Sequence, residues 1–323
     1  MIGRAAARRL LAAGWEVDVT GRDPTRMPAE LADARFIAAD RHDARQLAAA
    51  FGAGADLLVD CIAYTAADAE LLAPFARDAG STVLISSKAV YVDAHGNHSN
   101  SDVAPRFGGP IRETQPTMAP GAGDYRSREG YGANKVAAEQ VMLDSGAPVT
   151  VLRPSKVHGV GAERPREWVF VKRVLDGRPA VFLARRGEGV DHTTAAANIA
   201  ALVEVVAAKP GARILNSADP DAPSGREIAR TIARLLDHEW EEVLLDGEPA
   251  DGLGAHPWDA EHPIVLDTSA ALELGYVPAG DYEATVAEEV EWLVGSARRG
   301  DLRIDDEFFE RFLDYAVEDR RSG

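Results

Sequence analysis

Short apolar segments alternate with alanine-rich helical patterns through the first half of the chain. The strand-like segments are 16–20, 34–38, 57–63, 81–86 and 148–153. The helical patterns that follow them are 43–51, 66–79 and 131–145. Strands that alternate with helices pair in parallel, because each helix carries the chain back across the sheet. The sequence therefore predicts an α/β fold with a doubly wound parallel sheet.

A tyrosine and a lysine, Tyr131 and Lys135, lie four residues apart in one of these helices and share one of its faces. A phenol with a reference pKa near ~10 is a poor base at neutral pH, and a neighbouring cation favours the phenolate. The pair therefore predicts proton transfer by Tyr131, with Lys135 as the cation. A tyrosine and a lysine at this spacing also occur by chance on surface helices. The neighbouring sequence motifs therefore decide between the two interpretations.

Polar residues follow two of the predicted strands directly. Ser87 comes after 81–86, and Pro154 and Ser155 come after 148–153. Ligands of open parallel sheets bind at the carboxyl ends of the strands. We therefore expect Ser87 to hydrogen-bond the carbonyl or hydroxyl group with which Tyr131 exchanges a proton.

Three motifs occur in the order SSKAVY (86–91), YGANK (131–135) and LRPSKVHG (152–159). Together they resemble the extended short-chain dehydrogenase/reductases, a family of NAD(P)-dependent sugar epimerases, dehydratases and reductases. The resemblance covers about residues 1–297, including LDTS (266–269) and LGY (274–276), which resemble the family's C-terminal signature. It implies a Rossmann-like nucleotide domain with a smaller C-terminal substrate lobe.

The resemblance also implies the roles of individual residues. Ser87, Tyr131 and Lys135 match the catalytic residues, and Lys135 is expected to hold the nicotinamide ribose as well. Asp40 and Arg41 match the position that contacts adenine. Further cofactor contacts are implied at Gly3, Ile62, Ala63, Pro154 and Val157.

The start of the chain departs from the family. Members begin with a buried strand and a Gly-x-x-Gly-x-x-Gly turn at a helix N-terminus, which binds the pyrophosphate. Here only Gly3 matches, as the last glycine of that turn. The expected sheet then lacks its central strand. We expect either a start site placed about ten residues too late or a degenerate cofactor site, and weak dinucleotide binding by the chain as written.

The choice of cofactor depends on the end of the second predicted strand. NAD enzymes of this kind place an acidic residue there, where this chain has Gly21 followed by Arg22 and Asp23. Arg22 could pair with a 2′-phosphate, whereas Asp23 keeps NAD possible and Arg22 could also be a surface arginine. We therefore expect NADP or NAD, with NADP favoured.

The reaction can be narrowed by the residues that follow the catalytic serine. Sugar dehydratases of the family carry Thr-Asp-Glu where this chain has Ser87, Lys88 and Ala89, so dehydration is not expected. Hydride transfer at a hydroxyl or keto carbon of a sugar or nucleotide sugar remains, by a reductase or an epimerase. A non-catalytic dinucleotide sensor or scaffold is the alternative.

Three residues are candidate substrate contacts. Lys88 could bind a carboxylate or phosphate or be a solvated loop lysine, and Tyr91 could pack on the nicotinamide or substrate or be a core aromatic. Arg185 belongs to a group of arginines that could contact a nucleotide diphosphate or be solvated. That group is Arg153, Arg164, Arg166, Arg173, Arg185 and Arg186.

Composition restricts partners and compartment. A net charge of −17 and a pI near 4.9 argue against nucleic-acid binding. The chain has a single cysteine, Cys61, which fits a cytoplasmic protein. No apolar run is long enough to span a membrane. The eight histidines show no metal-binding spacing, so we expect no metal. The resemblance makes the helices at 66–79 and around Tyr131 a possible homodimer interface.

The predicted domain boundaries follow from the same motifs. Residues 1–155 form the nucleotide domain, to which 190–216 return, while 156–189 and 217–300 form the substrate lobe. Residues 301–323 form an acidic helical tail whose apolar residues have helical spacing. We expect the tail to dock on the body, with partner binding as the alternative.

Overall fold

The alternation of strands and helices expected from the sequence is present in the computed structural model, which describes residues 1–322. The strands are β1 (Asp18–Gly21), β2 (Arg35–Ala38), β3 (Ala55–Asp60), β4 (Ala79–Ile85), β5 (Val149–Pro154), β6 (Lys156–His158), β7 (Ala180–Leu183), β8 (Thr193–Ala195), β9 (Arg213–Ser217) and β10 (Glu241–Leu244). The helices are α1 (Ile2–Ala12), α2 (Ala44–Phe51), α3 (Ala66–Asp78), α4 (Arg128–Leu143), α5 (Trp168–Leu175), α6 (Ala196–Ala208), α7 (Gly225–Leu235), α8 (Ser269–Glu273), α9 (Tyr282–Arg299), α10 (Asp306–Glu310) and α11 (Tyr315–Ser322).

The chain divides into two compact units, each made of three segments. The first unit comprises Met1–Ser155, Ala196–Ala218 and Leu266–Ala279. The second comprises Lys156–Ala195, Asp219–Val265 and Gly280–Gly323, of which residue 323 lies outside the described residues. None of the helices in the described chain is both long and apolar enough to cross a membrane.

The strands of the first unit are all parallel, as the sequence predicts. Four of them pair in the order β3-β4-β5-β9, and β1 pairs with β2. Val83 of β4 and Val149 and Val151 of β5 are fully buried, as expected for strands covered by helices on both faces. The predicted α/β class is therefore confirmed.

The β1-β2 pair and the four-stranded sheet are separate ladders. Within residues 1–322, no strand pairs with both β1 and β3. The backbone of β3 is therefore paired on one side only, to β4, with Leu58 opposite Thr82. The first unit thus contains two separate parallel ladders.

Helices α3 and α4 begin at well-formed caps. Thr65 accepts a hydrogen bond from the Asp68 backbone while the Asp68 side chain accepts one from the Thr65 backbone, which starts α3 with a capping box. Ser127 Oγ accepts a bond from Gly130 N at 2.9 Å and starts α4. Both helices pack alanines, including Ala69 and Ala138, into one apolar cluster over the sheet.

A buried ion pair joins α4 to the sheet. Arg153 at the end of β5 donates to Glu139 of α4 through two nitrogens, with Nε 3.0 Å from Oε1 and Nη2 2.5 Å from Oε2. Ser86, just beyond β4, also bonds Glu139 Oε1. The side chains of the pair are only 4% and 3% exposed, so α4 is fixed over the ends of β4 and β5.

The predicted domain boundaries need two corrections. Leu266–Ala279 was assigned to the substrate lobe but belongs to the first unit, because Asp267 N bonds Ile111 O at 2.8 Å and Asn216 Nδ2 bonds Asp267 O at 3.0 Å. The returning segment is Ala196–Ala218, so residues 190–195 lie in the second unit.

The second unit has its own core, to which the C-terminal helices contribute. Phe309 and Phe312 are 2% and 5% exposed within it. Arg173 of α5 donates to Glu318 of α11 at 2.6 Å, and both side chains are 3% exposed. Residues 301–322 therefore form part of this unit.

The ion pair under α4 makes a testable prediction for stability. We expect Glu139→Gln to lower the free energy of unfolding by about 3–5 kcal/mol, since it leaves Arg153 buried and charged without its partner. Urea denaturation measures the change. Glu129→Gln, an exposed position on the same helix, is the control and should change the value by less than about 1 kcal/mol. Equal effects of the two variants would contradict the prediction.

Candidate functional site

Ser87 lies in the first turn after β4, at the carboxyl edge of the parallel sheet. Its hydroxyl accepts a hydrogen bond from Ala89 N at 3.2 Å and caps a short 3-10 helix, Lys88–Val90. The side chain is half-buried. The cap fixes the backbone of the turn, and the hydroxyl proton remains available to a ligand at the edge of the sheet.

The turn after Ser87 lies directly against α4. A Cβ placed on Gly132 would lie 2.5 Å from Ala89 O and 2.5 Å from Met118 Sδ, so only glycine allows this approach. Gly132 immediately follows Tyr131, whose side chain is half-buried. The structure therefore brings the backbones that carry Ser87 and Tyr131 together at one edge of the sheet.

Lys135 is a buried cation next to this turn. Its side chain is 3% exposed, and Nζ donates to Ala63 O at 2.7 Å and to Ile85 O at 3.0 Å. Nζ also lies 4.6 Å from the centre of the Tyr64 ring, a cation–π distance. Burial lowers the pKa of Lys135 to about 8, although the nearby Asp60 and Glu139 carboxylates oppose that shift.

The Tyr64 ring lies beside the Tyr131 side chain. The ring centre of Tyr64 is 6.5 Å from that of Tyr131, and Tyr64 stacks on Tyr125 at 5.2 Å. Tyr64 therefore links Tyr131 and Lys135, which already share one face of α4. Sequence reasoning missed Tyr64, which has no motif beyond following Ala63.

The residues predicted for the adenosine end lie after β1 and β2. Arg22 is exposed and forms no ion pair within the described chain. Asp23 accepts bonds from Thr25 N at 2.9 Å and Thr25 Oγ1 at 2.7 Å, so its carboxylate caps the next turn. Asp40 accepts a bond from His42 N at 3.0 Å. Arg22 is thus an exposed cation of this segment, next to a carboxylate that is already hydrogen-bonded.

Arg41 and Asp60 fix the loop that follows β3. Arg41 Nη2 lies 3.0 Å from Asp60 Oδ2, and Asp60 Oδ1 accepts bonds from Ile62 N at 2.7 Å and Ala63 N at 2.6 Å. Ile62, on this hydrogen-bonded loop, is 52% exposed.

The remaining predicted cofactor residues occupy three separate places. Gly3 lies in the first turn of α1, whose N-terminus has no side-chain cap, so its backbone N–H groups suit an anion. Pro154 is buried at the end of β5, and Val157 lies in β6 of the second unit. Ala63 is fully buried and offers its carbonyl oxygen to Lys135.

The three candidate substrate contacts differ in their surroundings. Lys88 is 7% exposed, so the alternative of a solvated loop lysine is wrong. Tyr91 is fully buried and donates to Asn216 Oδ1 at 2.6 Å, which makes it a core aromatic in this structure, and burial raises its pKa to about 12. Arg185 of the second unit pairs with Asp259 at 3.1 Å and is 28% exposed.

The other arginines of that predicted group also have local partners. Two of them, Arg153 and Arg173, are buried in ion pairs and so are neither solvated nor open to a phosphate. Arg164 pairs with Asp305 at 2.7 Å. Fewer of the six predicted arginines are therefore available to an anionic substrate than their number in the sequence suggests.

Sequence reasoning also missed Asp60 and Glu139, the acids nearest to Lys135. Glu139 follows Lys135 by four residues, as Lys135 follows Tyr131, so helical spacing could have placed it on the same face. Asp60 is the last residue of an apolar strand, at the edge of the sheet where ligands bind. That position could have marked it as a site residue.

The parallel sheet with its helices is a Rossmann-like α/β fold. Over residues 1–214 the sequence matches the NAD dependent epimerase/dehydratase family, and the chain belongs to that family. A comparison with curated protein sequences gave no match.

Solved structures of similar fold include two epimerases and a dehydratase. The UDP-glucose 4-epimerase of Thermus thermophilus in complex with NAD is 19% identical, with a TM-score of 0.65 over 92% of this chain and 96% of that one. The Thermotoga maritima UDP-glucose 4-epimerase with UDP-glucose is 16% identical, with a TM-score of 0.68 over 92% and 96%. The Bacillus anthracis dTDP-glucose 4,6-dehydratase with NAD is 15% identical, with a TM-score of 0.66 over 92% and 94%.

The close approach at Gly132 can be tested by mutation. We expect Gly132→Ala to push α4 away from the Ser87 turn and to lower kcat by about 10–100-fold, since small misplacements of reacting groups cost rate. Steady-state kinetics and a thermal melt measure both effects. Gln140→Ala, at an exposed position of α4, is the control. An unchanged kcat in a folded Gly132→Ala protein would contradict the expectation.

Proposed function

We propose that the protein is an NAD(P)-dependent oxidoreductase or epimerase that acts at a hydroxyl or keto carbon of a sugar, most simply a nucleotide sugar. The observation that carries the proposal is Lys135, a buried cation held by two main-chain carbonyls on the helix face of Tyr131. A buried cation is costly and its position is fixed, which suits a role in tuning a neighbouring phenol. The solved structures of similar fold support the substrate class.

In this proposal Tyr131 moves the proton of the reacting hydroxyl. Lys135 favours the phenolate of Tyr131, which accepts the hydroxyl proton during oxidation and returns it during reduction. Ser87 donates a hydrogen bond to the same oxygen and orients it. When bound, a nicotinamide dinucleotide supplies the hydride acceptor and donor.

The residues beside Ser87 favour hydride transfer without loss of water. Elimination of a hydroxyl needs an acid that protonates the leaving group and a base that removes a carbon-bound proton. The two residues after Ser87 are Lys88 and Ala89, and neither is a carboxylic acid. Reduction, or oxidation followed by reduction on the other face, therefore remains the favoured chemistry.

The surroundings of three segments fit a dinucleotide. The N–H groups that start α1 at Ile2 and Gly3 suit the pyrophosphate, and the exposed Ile62 suits the adenine ring. Arg22 suits a 2′-phosphate because Asp23 is occupied by Thr25. We therefore propose that NADP is preferred to NAD.

The separation of the two ladders supports a second candidate function. The β1-β2 pair carries Arg22 and Asp40 at its carboxyl edge, whereas Ser87 follows a strand of the four-stranded sheet. A site divided between two ladders could bind a dinucleotide without turnover, as a sensor. Substrate turnover distinguishes the two candidates.

Titration with NADPH and NADH tests the cofactor assignment. We expect Arg22→Met to weaken NADPH binding about tenfold and to leave NADH binding unchanged, since only NADPH carries the 2′-phosphate. Cofactor fluorescence measures both affinities. Arg26→Met removes another exposed arginine of the same segment and should alter neither. A loss of affinity for both cofactors in Arg22→Met would contradict the assignment.

The pH dependence of turnover tests the proton relay. We expect kcat/KM for UDP- and dTDP-sugars to fall above about pH 8, because Lys135 loses its charge there. Tyr131→Phe should lower kcat by about 10²–10⁴-fold while the cofactor still binds. Lys135→Arg keeps the charge, so any activity it retains should lack the fall near pH 8.

The proposed function is tested by chromatography of the products formed from UDP- and dTDP-sugars. Wild type and Tyr131→Phe are compared under the same conditions. Turnover of none of these sugars, with cofactor bound, would favour the sensor. Full activity of Tyr131→Phe would remove Tyr131 from the mechanism.

A further inference from the structure

Four ionisable side chains of the second unit form a buried cluster that the proposed mechanism does not use. The cluster consists of His158, Glu167, Asp219 and Glu289, whose exposures are 2%, 1%, 1% and 0%. Neither Glu167 nor Glu289 forms an ion pair with lysine or arginine in the described chain. Three carboxyl groups thus lie around one imidazole. Even when it is protonated, His158 carries one positive charge and cannot balance three buried carboxylates, whose burial without compensation is strongly unfavourable.

Each side chain of the cluster is oriented by a neighbour. Asp219 Oδ2 lies 3.0 Å from His158 Nε2, so an N–H there donates to the carboxylate. Gly159 N donates to Glu289 Oε2 at 2.6 Å, and Tyr282 OH lies 3.5 Å from Glu167 Oε1. Side chains that bind a metal typically have such second contacts: here the Asp219 carboxylate bonds one ring nitrogen of His158, and Gly159 N bonds one carboxylate oxygen of Glu289.

Three buried polar atoms of the cluster are left without a hydrogen bond. His158 Nδ1, Glu167 Oε2 and Glu289 Oε1 are all buried and make no hydrogen bond. His158 Nδ1 is 3.6 Å from Glu289 Oε2, which is too long for a hydrogen bond. One imidazole nitrogen and two carboxylate oxygens are therefore left without the partners that buried polar atoms require.

The spacing of these residues suits a small cation. One ligand atom each from His158, Glu167 and Glu289 can be chosen so that all lie within 4.8 Å of one another. Zinc in its usual tetrahedral geometry binds nitrogen and carboxylate oxygen at about 2.0–2.2 Å, so its ligand atoms lie about 3.3–3.6 Å apart. His158 Nδ1 and Glu289 Oε2 already have this spacing, at 3.6 Å. Side-chain shifts of up to about 1 Å would bring all three ligands to zinc-binding distances.

We propose that His158, Glu167 and Glu289 bind one Zn²⁺ ion, with Asp219 orienting His158. The mixed nitrogen and oxygen set favours a first-row transition metal over Mg²⁺ or Ca²⁺, which take oxygen ligands. The ligands come from β6, the N-cap of α5 and the middle of α9, so the ion joins three elements of this unit. We assign the ion a structural role; this proposal differs from the expectation of no metal that the histidine spacing gave.

Metal analysis of the full chain tests the proposal. We expect protein purified from zinc-supplemented cells to contain about one zinc per chain by plasma mass spectrometry. Removal with a chelator should lower Tm by several degrees, and Zn²⁺ alone should restore it. Glu289→Gln and His158→Asn should weaken Zn²⁺ binding at least about 100-fold in competition with a chromophoric chelator, and Asp219→Asn about 10–100-fold. Glu291→Gln, exposed on the same helix, is the matched control.

The outcomes are separable. Protein that retains no zinc and shows no change of Tm on addition of Zn²⁺ would overturn the proposal. The charges of the carboxylates would then be neutralised by bound protons instead of a metal ion. Zinc bound as tightly by Glu289→Gln as by wild type would place it elsewhere and would also overturn it. If the ligand variants do not fold, X-ray absorption of the wild-type protein decides: one imidazole and two carboxylates around zinc support the site, and any other ligand set overturns it.

Discussion

The hydrogen bonds from the Lys135 ammonium group to two main-chain carbonyls determine how the first unit is organised at its ligand edge. Ala63 O belongs to the loop after β3, and Ile85 O ends β4, so one side chain joins both segments to α4. Tyr131 lies one turn before Lys135 and Glu139 one turn after it, on the same face. Through Glu139 the same face reaches Arg153 at the end of β5. One helix face therefore sets the relative positions of three strand ends.

Much of the fold and part of the candidate site could be predicted because the signals are local. Alternating strand and helix patterns gave the parallel α/β class, and the motifs around Ser87, Tyr131 and Lys135 gave the family, both of which are confirmed. The roles of these three residues remain predictions. Spacing along one helix and position at a strand end are properties that a sequence displays directly.

Features that depend on contacts between distant segments of the chain could not be predicted from the sequence. The burial of Lys88 arises from a 3-10 turn packed against α4, and the acid partners of Arg153 and Arg173 lie on other elements. The assignment of Leu266–Ala279 to the first unit rests on backbone contacts with Ile111 and the Asn216 side chain. The cluster around His158 likewise has no spacing signature, since its carboxylates come from separate parts of the chain.

The segmented build of both units has a consequence for the order in which the protein forms during synthesis. The first unit needs Leu266–Ala279, and the core of the second needs Phe309, Phe312 and the Glu318 partner of Arg173. The ribosome synthesises these residues after the other segments of the same unit. Neither unit can therefore complete its core until its last segment has been made. Until then its open sheet edges can pair with other chains, and chaperones that shield such edges can act on them.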